Sequence, residues 1–86
     1  MKEAPLGKEF AFKMPNGALI GRARNLTDLC NFIKTAPLEA VLYHANGQHF
    51  GPWLEFIGER AAAANLKGLV VNARTVRVAL LRALRA

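Results

Sequence analysis

Phe10-Ala11-Phe12-Lys13-Met14-Pro15-Asn16-Gly17-Ala18-Leu19-Ile20-Gly21-Arg22-Ala23 decides the fold class of this chain. Phe10, Phe12 and Met14 alternate with Ala11 and Lys13, the period-2 pattern of a strand with one buried face. Pro15-Asn16-Gly17 follows as a turn, because Asn and Gly tolerate the positive φ that tight hairpins require. Residues 18–23 return as the second strand. A lone hairpin is marginal in water, so its two phenylalanines must lie against other elements, and the rest of the chain reads mainly as helix.

Asn25 is placed to cap the first helix, and Asp28 three residues later suits the positive end of the helix dipole. Leu26, Leu29, Cys30 and Ile33 fall on one apolar stripe. Pro37 restarts the chain in the first turn of a second helix, where Leu38, Val41, Leu42 and Ala45 repeat the spacing. Asn46-Gly47 ends it, one of the pair taking the left-handed conformation after the last turn. Gly51-Pro52 opens a third helix with Trp53, Leu54, Phe56 and Ile57 on its apolar side, and Gly58 breaks or bends it. The alanines 61–64 with Asn65 and Leu66 form a strong helical run, closed near Gly68. Leu69-Val70-Val71 is short and β-branched, equally readable as extended chain. Asn72 caps a last helix over 73–85, and residues 1–9 read as frayed, disordered chain.

The expected fold is therefore α+β, mostly α: an N-terminal β-hairpin packed on a bundle of four or five short helices, in a single domain spanning residues 1–86. Its expected core is Phe10, Phe12, Leu26, Leu29, Ile33, Leu38, Val41, Leu42, Phe50, Trp53, Leu54, Ile57 and Leu80.

With 52% hydrophobic and 21% charged residues the composition is that of a folded protein and not of a disordered tail. No apolar run reaches the roughly 18–20 residues needed to span a bilayer. The first residues lack the apolar stretch of a signal peptide. One cysteine, Cys30, excludes an internal disulfide. The simplest location on these features is the cytoplasm, with no membrane partner.

The charge sits at one end. Residues 1–59 hold six basic and six acidic side chains, whereas residues 60–86 hold Arg60, Lys67, Arg74, Arg77, Arg82 and Arg85 and no acid. The whole formal charge of +6 therefore belongs to the last third. A sequence pI near 10.3 is ordinary for a nucleic-acid binder and high for a small enzyme. On a helix over 73–85, Ala73, Val76, Leu80, Ala83 and Leu84 share one side. Arg74, Arg77, Arg82 and Arg85 gather on the other, with Val78 and Leu81 among them. Whether that helix packs on the body or projects from it is open at this level.

The most specific string is Tyr43-His44-Ala45-Asn46-Gly47-Gln48-His49-Phe50-Gly51-Pro52-Trp53-Leu54. Its structural reading is a helix–turn–helix junction, with Phe50 and Trp53 as core anchors and His44 satisfying helix-end carbonyls. The chemical reading pairs His44 with His49 as metal ligands or as acid and base. Zinc sites need three or four protein ligands, and no His-x-x-x-His or Cys-x-x-Cys spacing supplies them. No nucleophile–base pairing is legible, and glycine-rich phosphate loops are absent. Cys30, on an apolar stripe, reads as a small core residue. The chain is thus expected to be non-enzymatic, with no catalytic residue, no metal, no cofactor and no small-molecule substrate.

The arginine face offers three readings. Its guanidinium groups could meet successive phosphates of a nucleic acid, with Arg60 and Lys67, and beyond them Arg22 and Arg24, extending the patch. Nothing specifies base readout, so such binding would have little sequence selectivity. Val78 and Leu81 could instead centre a homodimer or protein-partner surface rimmed by arginine. The third reading is a solvated face that keeps the chain in solution. The expected function is a binding module whose basic C-terminal helix engages an anionic partner, foremost nucleic acid. A protein-interaction or homodimerisation domain is the alternative.

The order of features resembles a family of small prokaryotic domains of unknown function. The residues that carry the resemblance are the Phe-x-Phe strand (Phe10, Phe12), Gly17, the Asn25-Leu26-x-x-Leu29 helix start, Tyr43-His44 and His49-Phe50-x-x-Trp53-Leu54. The match covers about residues 10–66, and Gly58-Glu59 fits loosely the acidic position such relatives are expected to carry after Trp-Leu. The resemblance implies no activity, substrate or cofactor, and the arginine-rich end lies outside it.

Overall fold

A computed structural model describes residues 3–85 of the chain, the last of them by its place in a helix alone. The hairpin forms as its alternation requires. Strands β1 (Phe10–Lys13) and β2 (Leu19–Ala23) pair antiparallel, with Phe10 opposite Ala23 and Phe12 opposite Gly21. The Gly17 amide donates to the Met14 carbonyl at 2.9 Å, the Met14 amide to the Ala18 carbonyl at 2.9 Å, and Gly17 takes φ +93°. This is the three-residue hairpin loop in which a left-handed glycine follows the turn. One residue beyond Phe12 the register slips, because Lys13 pairs with Leu19 and leaves Ile20 as an extra residue on β2.

Five helices follow: α1 (Leu26–Thr35), α2 (Leu38–Asn46), α3 (Phe50–Phe56), α4 (Arg60–Leu66) and α5 (Val76–Arg85). The architecture is α+β and mostly α. The Asn25 side chain caps α1 by accepting from the Asp28 amide at 2.9 Å. The Asp28 carboxylate in turn accepts from the Arg24 amide at 3.1 Å. In the middle of the helical run, α3 stops in a Schellman arrangement. The Glu59 amide reaches the Leu54 carbonyl (2.8 Å), the Gly58 amide reaches Glu55 (3.1 Å), and Gly58 has the φ of +89° that this exit needs.

Phe12, Leu29, Ile33, Val41, Phe50, Leu54 and Val76 are the largest fully enclosed side chains. The Phe12 ring lies against Phe10, Phe32, His44 and Phe50, with centroids 4.8–6.0 Å apart. Around this aromatic centre the helices close on small residues: Ala23, Ala36, Ala40, Ala62 and Ala63 are all buried. Among the described residues no helix is long and apolar enough to cross a membrane.

The last helix packs on the body. Val76, Leu80 and Leu84 are buried, and α5 touches α4, α1 and α2. Two polar ties fix it: the Asn65 amide nitrogen donates to the Ala83 carbonyl (3.0 Å), and the Arg77 guanidinium donates to the Ile33 carbonyl (2.8 Å).

Several expectations need correction. Residues 3–9 are not frayed: Glu3 bridges Asn25, the Ala4 amide donates to the Arg24 carbonyl (2.7 Å), and the Trp53 indole donates to the Lys8 carbonyl (2.9 Å). Pairing with the segment just after β2 satisfies a backbone that composition alone leaves open. Residues 1 and 2 lie outside the described residues. Regular helix in α5 begins at Val76 and not at residue 73. Asn72 still caps it, its side-chain oxygen accepting from the Arg74 and Thr75 amides (2.9 and 3.2 Å), but residues 73–75 form a turn and Ala73 is exposed. The buried face of α2 is Ala40, Val41 and His44, while Leu38 is 37% exposed. Leu26, Leu42 and Trp53 are only partly buried. Finally, the left-handed residue after α2 is Gln48 (φ 56°), whereas Gly47 stays right-handed (φ −80°).

Candidate functional site

The acid-free third of the chain folds into α4, the 67–75 segment and α5. Burying Val76, Leu80 and Leu84 turns Val78 and Arg82 outward, one turn apart. Arg74, in the turn that opens α5, is exposed, as are Arg60 at the start of α4 and Lys67 just past its end. Among the described residues the one ion pair is Arg24–Asp28 (3.7 Å), on the exposed edge of α1. Among the described residues Arg60, Lys67, Arg74 and Arg82 therefore form no ion pair.

Arg77 differs. It is half-buried, and its guanidinium meets a carbonyl in the last turn of α1, where the helix dipole favours a cation. This arginine fastens α5 to α1 and is not displayed with the others. Leu81 also turns inward, partly buried against the core, so Val78 (53% exposed) stands without it on the surface. The Arg85 side chain lies outside the described residues. Of the six basic residues read as one patch, four are thus displayed, spread over α4, the 67–75 segment and α5.

The histidines of the helix junction meet each other. His44 sits in the core at 3% exposure, on the α2 face that covers the hairpin. Its Nε2 accepts the Lys13 backbone amide at 2.9 Å, and its Nδ1 lies 3.0 Å from Nδ1 of His49. A two-stranded sheet leaves backbone groups on its outer edges, and His44 satisfies one of them. That bond fixes the tautomer: Nε2 is unprotonated, so Nδ1 carries the proton and donates to His49. Burial, and next the nearby His49, push the His44 pKa down from 6.5 to about 4.

The consequence for stability has a definite sign. Between about pH 6.5 and about pH 4 the unfolded chain binds a proton at residue 44 that the folded chain does not. Stability from this group is thus complete above pH 6.5 and is lost as pH falls toward 4. At about 1.4 kcal/mol per pKa unit the full loss is about 3 kcal/mol. Urea midpoints measured from neutral to mildly acidic pH should fall accordingly in the wild type. The pH dependence in this window should be markedly weaker in His44→Gln, which keeps an acceptor for Lys13 and cannot titrate.

His44 and His49 converge on each other and do not line the neighbouring cavity. That cavity, about 520 Å³, opens between the α2–α3 junction, α4, the 68–71 segment and Leu80, with Gln48, Glu55 and Lys67 among its polar lining. Among the described residues no three His, Cys, Asp or Glu side chains come together as a metal site. Cys30 is half-buried beside the core.

Two features escaped sequence reasoning. The bond from the Lys13 amide to His44 links residues 31 apart, and nothing local marks it. The inward turn of Arg77 had a signal, since it is nearest of the arginines to the Val76–Leu80–Leu84 stripe on a helical wheel. No family model, no curated protein and no solved structure matches this chain.

Proposed function

We propose that the protein is a non-enzymatic binding module that engages an anionic partner, foremost nucleic acid, through the surface of α4 and α5. One observation carries the reading: Arg60, Lys67, Arg74 and Arg82 are exposed on an acid-free third of the chain, and among the described residues none of them forms an ion pair. Such cations recruit phosphates and release the counterions condensed on them. Long side chains spread over two helices and a turn suit backbone contact and offer little discrimination between bases. Arg77 belongs to the scaffold in this reading, holding α5 in place to present the others.

Fluorescence-anisotropy titration of labelled duplex and single-stranded oligonucleotides tests this. Four phosphate contacts give a plot of log K against log salt with a slope of about −3 to −4 on duplex. Arg74→Glu/Arg82→Glu should weaken binding at low salt at least roughly tenfold and make the slope shallower by about 2. Both changes leave the core untouched, so the variant's melting curve should match the wild type. Absence of binding by the wild type at low salt would remove the proposal. The alternative, a protein or homodimer contact on Val78 and Leu81, is supported by the 53% exposure of Val78. Half-buried Leu81 adds little area to it, and oligomer mass with and without Val78→Glu distinguishes it.

A further inference from the structure

The histidine pair does more than fill space at the junction. In the neutral state its two rings share two protons among four nitrogens: Nδ1–H of His44 donates to Nδ1 of His49, and His49 carries its own proton on Nε2. The Lys13 amide occupies the remaining nitrogen, Nε2 of His44. A third proton has two places to go. On Nδ1 of His49 it sets two donors against each other across a 3.0 Å contact. On Nε2 of His44 it evicts the Lys13 amide. Either way one hydrogen bond is lost, and no ring flip restores both.

We propose that His44 and His49 form a proton-operated latch that fastens the α2–α3 junction to the hairpin and opens when the pair takes up one proton. The junction is built to swing. Gly47 lacks a side chain where one would strike the His49 ring, so His49 can fold back over the end of α2. Gln48, between them, holds a left-handed backbone that a non-glycine residue adopts at a cost. Release of His49 lets that residue relax. Asn46, Gln48, Phe50 and Gly51 also form one wall of the 520 Å³ cavity, so an open latch reshapes the cavity from that side.

Among the described residues, the groups that contact the pair bring no negative charge. Tyr43 on α2 lies edge-on to both rings (4.9 and 5.1 Å), Phe10 and Phe12 of β1 and Phe50 of α3 pack on His44, and the charged neighbour is the cationic Lys13. The depressed pKa of His44 agrees with these surroundings, in which added positive charge is opposed. The latch does not rest on the anion-binding reading of α4 and α5.

Histidine ring-nitrogen and backbone-amide NMR, followed from about pH 8 down through the His44 value of about 4, tests the latch. At the upper end Nε2 of His44 should appear unprotonated and Nδ1 protonated. As the pair takes up a proton, the amide resonances of Asn46 through His49 should move together with the ring nitrogens. His49→Asn places an oxygen where Nδ1 stands and keeps the acceptor, so an added proton can only displace the Lys13 amide from Nε2 of His44, and the junction amides should stay fixed while Lys13 moves. Gly47→Ala should push the His49 ring aside and show the acid pattern already at the upper end, with the hairpin resonances intact. Junction amides that stay fixed while the rings titrate overturn the latch. So does unchanged movement in His49→Asn, or a high-pH pattern kept by Gly47→Ala.

Discussion

A chain ending at Asn72 is expected not to fold. Truncation there removes Val76, Leu80 and Leu84, all buried, from the face where α5 meets α4, α1 and α2. Each fully buried aliphatic side chain contributes about 1.5–3 kcal/mol. Their joint loss is on the order of 5–9 kcal/mol, which matches or exceeds much of the roughly 5–15 kcal/mol net stability of a small domain. The faces of α4 and α1 that α5 covers are newly exposed and add to the cost, and the Ile33 carbonyl and the Asn65 amide lose their partners. Circular dichroism on heating should show no cooperative transition for residues 1–72, against a single sharp one for the intact chain. A cooperative melt of the truncated chain would mean that α5 is an appendage. A loss of ligand binding on truncation would therefore say nothing about where the ligand sits, which is why charge reversal at exposed arginines is the appropriate probe.

Phe12→Ala should destabilise the fold by about 3–5 kcal/mol, the range for deleting a buried aromatic ring. Phe12 is fully enclosed and is where the hairpin meets the helices: its ring touches Phe32 of α1, His44 of α2 and Phe50 of α3. The rings of Phe10, Phe32 and Phe50 are held by β1, α1 and α3, so the hole cannot collapse without moving three elements. Guanidinium denaturation would show the loss as a lower midpoint at nearly constant slope. Phe10→Ala should cost less, because Phe10 lies at the margin of the cluster at 7% exposure, beside the half-buried Trp53. A Phe12→Ala stability within about 1 kcal/mol of wild type would contradict this picture of the core.

The alternation of Phe10 and Phe12 and the Pro15-Asn16-Gly17 turn made the hairpin legible, because both signals are local and the period of a strand is short. The α1 stripe was legible for the same reason. The face of α2 was not. Its apolar spacing pointed to Leu38, but α2 is placed against β1 so that His44 can reach the Lys13 amide, and Leu38 is left at the surface. A polar residue used to satisfy a distant backbone group looks, in sequence, like a break in the stripe. The small-residue contacts at Ala36, Ala40, Ala62 and Ala63 were hidden because alanine serves equally on a helix surface or in its core. The order of residues 3–9 rests on bonds to Arg24, Asn25 and Trp53, which only the assembled fold brings near. At the candidate site, composition identified the acid-free third, but helix phase decided that Arg82 faces out and Arg77 faces in. That phase follows from Val76, Leu80 and Leu84 together with the caps at Asn72, and not from the arginines.

The most direct measurement is a backbone-amide NMR titration of the intact protein with a short unlabelled duplex at low salt, repeated at high salt. The expected result is a set of shift changes at Arg60, Lys67, Arg74, Val78 and Arg82 that shrinks steeply as salt rises, with the hairpin unmoved. Contradiction would come from no shift changes at low salt, or from changes confined to the hairpin and α1.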